Sequence, residues 1–393
     1  MIPSNPIYLD NNATTPMDPR VLAEMLPYFI EKFGNAASRT HAFGWEAEEA
    51  VEIARENVAE LIGASPKEIV FTSGATEAIN LALKGIFEGA ASKGNHIITV
   101  QTEHKAVLDT CQHLEKLGAQ ITYLSVDSNG LINLHELENA ITEQTILISV
   151  MYANNETGVI QPVKKIGKIA KKHGVLFFSD ATQAVGKIPV DLSTDGIDLM
   201  CFSAHKLYGP KGVGALFVKK NIATSVTAQI DGGGHERNMR SGTLNVPGIV
   251  GFGKACALCH EQMEFELQIL KVLRNRFEHA LYQINDSVIN GTAVPRLPHC
   301  TNVTFRDLDG DRLILEAGNR IAFSRSSACT SATMEPSHVL KAMGIPGETI
   351  NNSFRFSLGR FTTEEEVDRA VQVLSEIIEN HFSERNYGHH QSL

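Results

Sequence analysis

From residue 69 onward, short runs rich in β-branched and apolar residues alternate with helical stretches, and this alternation leaves the chain few architectures. Residues 69–72, 96–100, 121–125, 145–151, 175–179, 197–201 and 213–218 read as strands, with helices predicted over 75–86 and 105–117. Strands separated by helices predict an α/β fold: a mainly parallel sheet covered on both faces, whose ligands bind at the carboxyl ends of the strands. Ahead of the first strand, Ala47, Val51, Ala54, Val58 and Leu61 share one face of a helix over 45–62, which Gly63 caps. After 213–218 the apolar spacing becomes helical and long, over 248–284. The texture then shifts to a separate group of strands and helices ending near His381. The expected division is a large domain over 16–260 and a smaller α/β domain formed by 1–15 and 261–393. The tail SERNYGHHQSL is polar and is expected to fray.

Composition narrows the partners. At 393 residues the chain has room for two domains, and 35 Lys and Arg against 45 Asp and Glu give a net charge of -10 without a polybasic run. A small-molecule partner therefore fits better than nucleic acid. The start, MIPSNPIYLDNNATTP, lacks the apolar stretch of a signal peptide, and no run is long enough to span a bilayer, so a cytoplasmic protein without membrane attachment is expected. Six cysteines, at 111, 201, 256, 259, 300 and 329, are too sparse for a disulfide framework. Cys256, Cys259 and His260 match the spacing of covalent haem attachment but sit in a helical pattern, and Gly232, Gly233 and Gly234 read as a turn.

Chemistry concentrates at the predicted strand ends. Lys206, in CFSAHKLYGPKG, follows a buried strand, where desolvation favours a neutral, nucleophilic amine. Ser203 and His205 supply donors beside it. The run over 175–179 ends in Asp180, with Gln183 three residues on. A carboxylate, a lysine and anion donors at strand ends fit pyridoxal phosphate: the carboxylate holds the pyridinium proton, the lysine bonds the aldehyde carbon and the donors hold the phosphate. In FTSGATEAINLAL, Ser73, Gly74, Ala75 and Thr76 open a helix whose N-terminus suits a phosphate, although Ser73 and Thr76 could equally serve as ordinary caps. His104 follows the strand 96–100 and could stack on a cofactor ring or move protons. Asn154 and Asn155 follow 145–151, where turn chemistry explains them as well as ligand binding does. Cys329 lies in FSRSSACTSATMEPS, residues 323–337, a stretch of small polar residues that suits an exposed loop and an accessible thiol. Arg355 is a candidate for capturing a substrate carboxylate or for a structural ion pair.

Together YLDNNATTP, FTSGATEAINLA, TEHKAVLDTC, NNETG, DATQAVGK, FSAHKLYGPKG, GGGHERNMRSGTLN, SSACTS and RFSLGRFTTEEE, in order from about residue 7 to about 375, resemble the cysteine desulfurases of the IscS and NifS type. The resemblance implies a fold type I pyridoxal-phosphate enzyme, homodimeric, that converts L-cysteine to L-alanine and supplies sulfur to iron-sulfur scaffold proteins and other acceptors such as those of tRNA thiolation. It implies that Lys206 is the Schiff-base lysine, Asp180 the pyridinium partner, Gln183 the contact to the phenolic oxygen and His104 the stacking ring and proton carrier. Ala75, Thr76, Ser203 and His205 would hold the phosphate, with Thr243 reaching that of the opposite subunit. Asn155 and Arg355 would orient the substrate, and Cys329 would take the sulfur as a persulfide and could ligate a transient cluster; no other metal is implied. The family pattern SSGSACTS is departed from around Ser324, Arg325, Ser326 and Ser327, with Arg325 read in place of a glycine. That arginine could stiffen the segment or lower the thiol pKa. A selenocysteine lyase, another lyase or aminotransferase of the fold, and a non-catalytic sulfur-relay protein remain alternatives.

Overall fold

Each of the seven apolar runs becomes a strand of one sheet. The computed structural model describes residues 6–284, 287–325 and 336–390. Across the sheet the strands run Ile69–Thr72, Gly214–Val218, Leu199–Ser203, Leu176–Asp180, Thr145–Ser149, His96–Val100 and Gln120–Leu124. All neighbours are parallel except Gly214–Val218, which is antiparallel to both of its own. Because side chains alternate across a strand, the two faces collect different sets. Ile98, Val100, Phe177, Met200 and Phe217 pack beneath Ala42–Ile62, Val163–His173 and the first half of Val246–Tyr282. Ile97, Leu147, Phe178, Leu199 and Leu216 pack beneath Ala75–Gly89 and Lys105–Lys116.

The helix expected over 45–62 spans Ala42–Ile62 and ends at Gly63, whose φ of 68° is the left-handed conformation of a C-terminal cap. It lies so close to Val246–Tyr282 that a Cβ on Gly253 would stand 2.5 Å from the Ala54 Cα, so glycine is what permits the crossing. Five of the seven runs have ends shifted by one or two residues from expectation, and two of the shifts have a visible cause. The fifth-listed strand stops at Ser149, because the Met151 N–H turns to the Glu103 carboxyl at 2.6 Å. The run expected over 197–201 is instead strand at Leu199–Ser203, carried past its apolar residues by pairing of Ser203 with Gly214. Cys256 and Cys259 are buried within Val246–Tyr282, in keeping with packing rather than haem attachment.

A second, antiparallel sheet orders Ser324–Arg325, Ser353–Ser357, Cys300–Thr304 and Val288–Ile289. Its core joins Phe354 and Phe356 to Phe277 of the long helix and to Val367, Leu374 and Ile378 of Glu364–His390. That last helix runs on through much of the tail expected to fray; no proline interrupts it. Ile7 and Leu9 are buried in the same core, and Ile7–Tyr8 pairs in parallel with Ile321–Ala322. The chain then crosses to the large sheet: Asn11 N–H bonds Ser357 O at 3.1 Å, Thr15 N–H bonds His205 O at 3.0 Å, and Asp18 N–H bonds Tyr208 O at 2.9 Å. Residues 9–18 are thus a strap fastened at both ends. Among the described residues no helix is long and apolar enough to cross a membrane.

Candidate active site

The carboxyl ends of four neighbouring strands and the strap enclose a cavity of about 520 Å³, a size ordinary for a small-molecule site. At one side the helix Ala75–Gly89 points its N-terminus inward. Its cap is Gly74, at φ 155°, with no side-chain hydrogen bond, so neither Ser73 nor Thr76 caps it; the Ser73 N–H goes instead to the Glu77 carboxylate at 2.8 Å. The first helical N–H groups, at Ala75 and Thr76, have no carbonyl one turn earlier to bond and carry the positive end of the helix dipole. Ser203 adjoins them: a Cβ on Gly74 would lie 3.7 Å from the Ser203 Oγ, and one on Gly214 only 2.7 Å from the Gly74 Cα. His205 shares this side of the cavity. Burial first, then the Lys206 and Lys211 charges, hold its imidazole down at about 4, so at neutral pH it is an uncharged ring whose Nδ1 shares a hydrogen bond with Thr14 Oγ1 at 3.1 Å.

Asp180, at the end of Leu176–Asp180, is only 6 % exposed. Its Oδ1 accepts the Thr182 N–H at 3.0 Å and the Cys201 thiol at 3.6 Å. Gln183, on the turn that follows, donates to Asn12 O at 3.0 Å. Lys206 extends its Nζ to two strap carbonyls, Asn12 O at 2.5 Å and Ala13 O at 2.6 Å. His104 also lines the cavity; its Nδ1 accepts the Ala106 N–H at 3.1 Å, which caps Lys105–Lys116 and places the ring at the helix start. Asn155 lines the opposite wall, its backbone carbonyl held by Asn12 and by Arg355, each at 3.1 Å.

Nine of the residues to which the resemblance gave a role therefore meet at one cavity: Ala75, Thr76, His104, Asn155, Asp180, Gln183, Ser203, His205 and Lys206. Two stand elsewhere. Arg355 is buried behind Asn155 and pairs with Asp10 at 2.7 Å, the ion-pair alternative. Thr243 is exposed and does not line this chain's cavity. Cys329 lies outside the described residues. The five described cysteines are all buried, and burial pushes Cys111 to about 12 and Cys300 to about 11, so they are packing residues rather than nucleophiles. Arg325 corrects an expectation: it sits in the extended strand Ser324–Arg325 opposite Phe354, a conformation that needs no glycine, and its guanidinium bonds Asp311 at 2.7 Å. Counted residue by residue, the glycine of the family pattern falls on Ser326.

Sequence reasoning missed the strap's role. Ala13 and Thr14 line the cavity, and the Asn12 and Ala13 carbonyls hold Lys206; the run NNATTP, part of the resemblance but given no task, was the available signal. It also missed Glu103, one residue before His104. Burial first, then the nearby Asp180 charge, push its carboxyl well above the usual range, and one of its oxygens has no hydrogen-bond partner.

A family model described as aminotransferase class-V matches residues 7–370. The chain belongs to that family. Its relatives include the cysteine desulfurase IscS of Klebsiella pneumoniae subsp. pneumoniae, 52 % identical over 375 residues that make up 95 % of this chain and 93 % of that one. The cysteine desulfurase IscS of Anaeromyxobacter sp. is 54 % identical over 372 residues, 94 % of this chain and 92 % of the relative. Among solved structures, a NifS-like protein superposes with a TM-score of 0.88 at 40 % identity, covering 95 % of this chain and 99 % of the other. The large, mostly parallel sheet and these likenesses place the chain in fold type I of the pyridoxal-phosphate enzymes. The residues present suit that group on their own chemistry. A buried carboxylate, an amine and a helix N-terminus backed by a hydroxyl and a neutral imidazole share one cavity.

Proposed function

We propose that this class-V aminotransferase family member is a cysteine desulfurase. The observation that carries the reading is Lys206 and Asp180 on one cavity wall with a free helix N-terminus, in a chain more than half identical to curated cysteine desulfurases. Lys206 would bind pyridoxal phosphate covalently, Asp180 and Gln183 would hold its ring nitrogen and phenolic oxygen, and Ala75, Thr76, Ser203 and His205 its phosphate. When bound, the cofactor supplies the electron sink that labilises bonds at the substrate's α-carbon. The chain's own residues do the rest. Asp180, shielded from water, would stabilise positive charge on the ring; Lys206 and His104 would take and return protons at the substrate carbon, His104 also covering the ring; Asn155, its carbonyl held from behind by Arg355, would orient the amino acid. The Cys329 thiolate attacks the substrate sulfur. The Cβ–S bond breaks with its electron pair left on carbon, which takes a proton to give alanine, and sulfur remains on Cys329 as a persulfide.

Sulfur would then pass to iron-sulfur scaffold proteins or other acceptors in the cytoplasm. A homodimer fits the apolar side chains that stand exposed together near the amino end, Phe29, Ile30, Phe33, Phe43 and Trp45, and would explain why Thr243 serves no site within its own chain. The two-domain division at about residue 260 fits the separate core of the second sheet. Purified protein given L-cysteine and a reductant should release alanine and sulfide in equal amounts, and Cys329→Ala should abolish sulfide release while keeping the visible absorbance of the lysine-bound cofactor. Full activity in that variant would sink the sulfur-transfer step. Turnover of selenocysteine, but not cysteine, by the same variant would favour the lyase alternative.

A further inference from the structure

In the sequence Cys329 stands between Ser324 and Arg325 on one side and Ser337 and His338 on the other. Three of these four residues are bonded to the frame of the cavity. Ser324 Oγ donates to Asp10 Oδ2 at 2.8 Å and accepts from Arg355, which also holds Asn155 O. Ser337 Oγ donates to Glu156 Oε2 at 2.5 Å while accepting the Leu340 N–H at 3.1 Å, so one hydroxyl both caps the helix His338–Ala342 and ties it down. His338 Nε2 bonds Glu103 O at 2.9 Å. The anchors are placed tellingly: Glu156 adjoins Asn155 and Glu103 adjoins His104, both of which line the cavity.

Glu156 itself does not line it. Its side chain is 6 % exposed, and a carboxyl is a costly group to bury for packing alone. Its carboxylate accepts from the Ser337 hydroxyl, 181 positions away in the sequence. We propose that Glu156 is a positioning residue for the sulfur-transfer step, fixing through Ser337 the point at which the Cys329 segment rejoins the cavity wall. The inference rests on the reading of Cys329 as sulfur acceptor. Cys329 lies five residues after Ser324 and eight before Ser337, so the covalent chain alone holds its Cα within about 18 Å of Ser324 and about 29 Å of Ser337. A thiol confined in this way meets the substrate at a raised effective concentration. Loss of the return anchor would lower that concentration without touching the cofactor's partners.

The test uses cofactor-loaded Glu156→Ala, Glu156→Gln and Ser337→Ala enzymes. Three quantities are read for each: the single-turnover rate at which L-cysteine places sulfur on Cys329, followed by mass spectrometry; the KM for L-cysteine; and the visible absorbance of the bound cofactor. Glu156→Ala and Ser337→Ala should slow persulfide formation about tenfold, the worth of one buried hydrogen bond, with KM and absorbance unchanged. Glu156→Gln, whose amide oxygen still accepts the serine hydroxyl, should restore most of the rate. Wild-type transfer in both alanine variants would overturn the inference, as would a glutamine variant as slow as the alanine one, or absorbance lost in step with transfer. A wild-type enzyme that puts no sulfur on Cys329 would overturn the reading of Cys329 instead, and the variants are not needed to see it.

Discussion

The carboxyl edge of the large sheet and the strap of residues 9–18 build the same cavity by opposite routes. On the sheet edge each functional group follows its own strand directly: Asp180 closes Leu176–Asp180, Ser203 closes Leu199–Ser203 and Lys206 comes three residues later. The strap forms its contacts with residues roughly 190 or 345 positions away, His205 and Lys206 on one side and Ser357 on the other. The sheet edge supplies charge and nucleophiles. The strap supplies two carbonyls and a buried amide, and holds the two sheets together while doing so. Chemistry is local in the sequence here, whereas the geometry that aims it is not.

The sharpest way to break that contrast is Asp180→Asn. If the sheet edge carries chemistry alone, activity should fall by about 10²–10³-fold, the usual loss on removing one preorganised electrostatic partner, while the urea midpoint stays close to wild type. A large loss of stability would show that Asp180, through Thr182 and Cys201, also braces the sheet end. Asn12→Ala probes the other side. The Asn12 side chain is 2 % exposed and bonds His299 Nε2 at 2.8 Å and Asn155 O at 3.1 Å. His299 is fully enclosed, held well below its usual pKa by burial and by the Lys187 and Arg274 charges, and its Nδ1 already lacks a partner. Leaving the second nitrogen unpaired should cost about 1–3 kcal/mol, read by urea unfolding. Cofactor affinity should fall with it, because the lost side chain fixes the strap and so the position of the Asn12 carbonyl that steadies Lys206 and Gln183. Unchanged affinity would separate strap from site and defeat the comparison.

This division explains what the sequence disclosed. The strands 69–72 and 96–100 match the structure to the residue, since short β-rich runs between helices have one stable reading in a covered parallel sheet. The wall residues Asp180, Ser203, His205 and Lys206 were legible because strand ends are where such sheets bind ligands. Arg355 was read as facing either substrate or an ion-pair partner, and only the fold brings Asp10 to it. Glu103 and Glu156 gave no signal at all: a glutamate in a loop reads as solvated, and only tertiary packing buries these two.

Glu156 yields a smaller effect with a definite sign. Burial pushes its carboxyl up to about 7, against the pull of Ser337 and Arg355. The folded protein therefore binds a proton there that the unfolded chain, with an ordinary pKa of 4.5, has released. The contribution is fully present below about pH 4.5 and is lost as pH rises through about 7, so this group lowers stability on going from pH 5 to pH 8, by about 1–3 kcal/mol. Glu156→Gln should flatten that part of the profile in urea titrations at the two pH values. An identical slope in wild type and variant would place the carboxyl in a wetter setting than the fold indicates.

The smallest effect belongs to Arg325, on the outgoing stem. Its partner Asp311 is 64 % exposed, and pairs of that kind contribute about 0–1 kcal/mol. Arg325→Ser should therefore leave the unfolding midpoint nearly unchanged. The informative readout is the pH profile of Cys329 alkylation by iodoacetamide. A guanidinium whose charge is already met by Asp311, at the start of Gly310–Ala317, has little left to offer a thiolate, so the profile should not move. If the variant's profile shifts to higher pH, the arginine was lowering the thiol pKa after all, and a charge on the stem would have to be counted with the chemistry of the sheet edge rather than with the anchors.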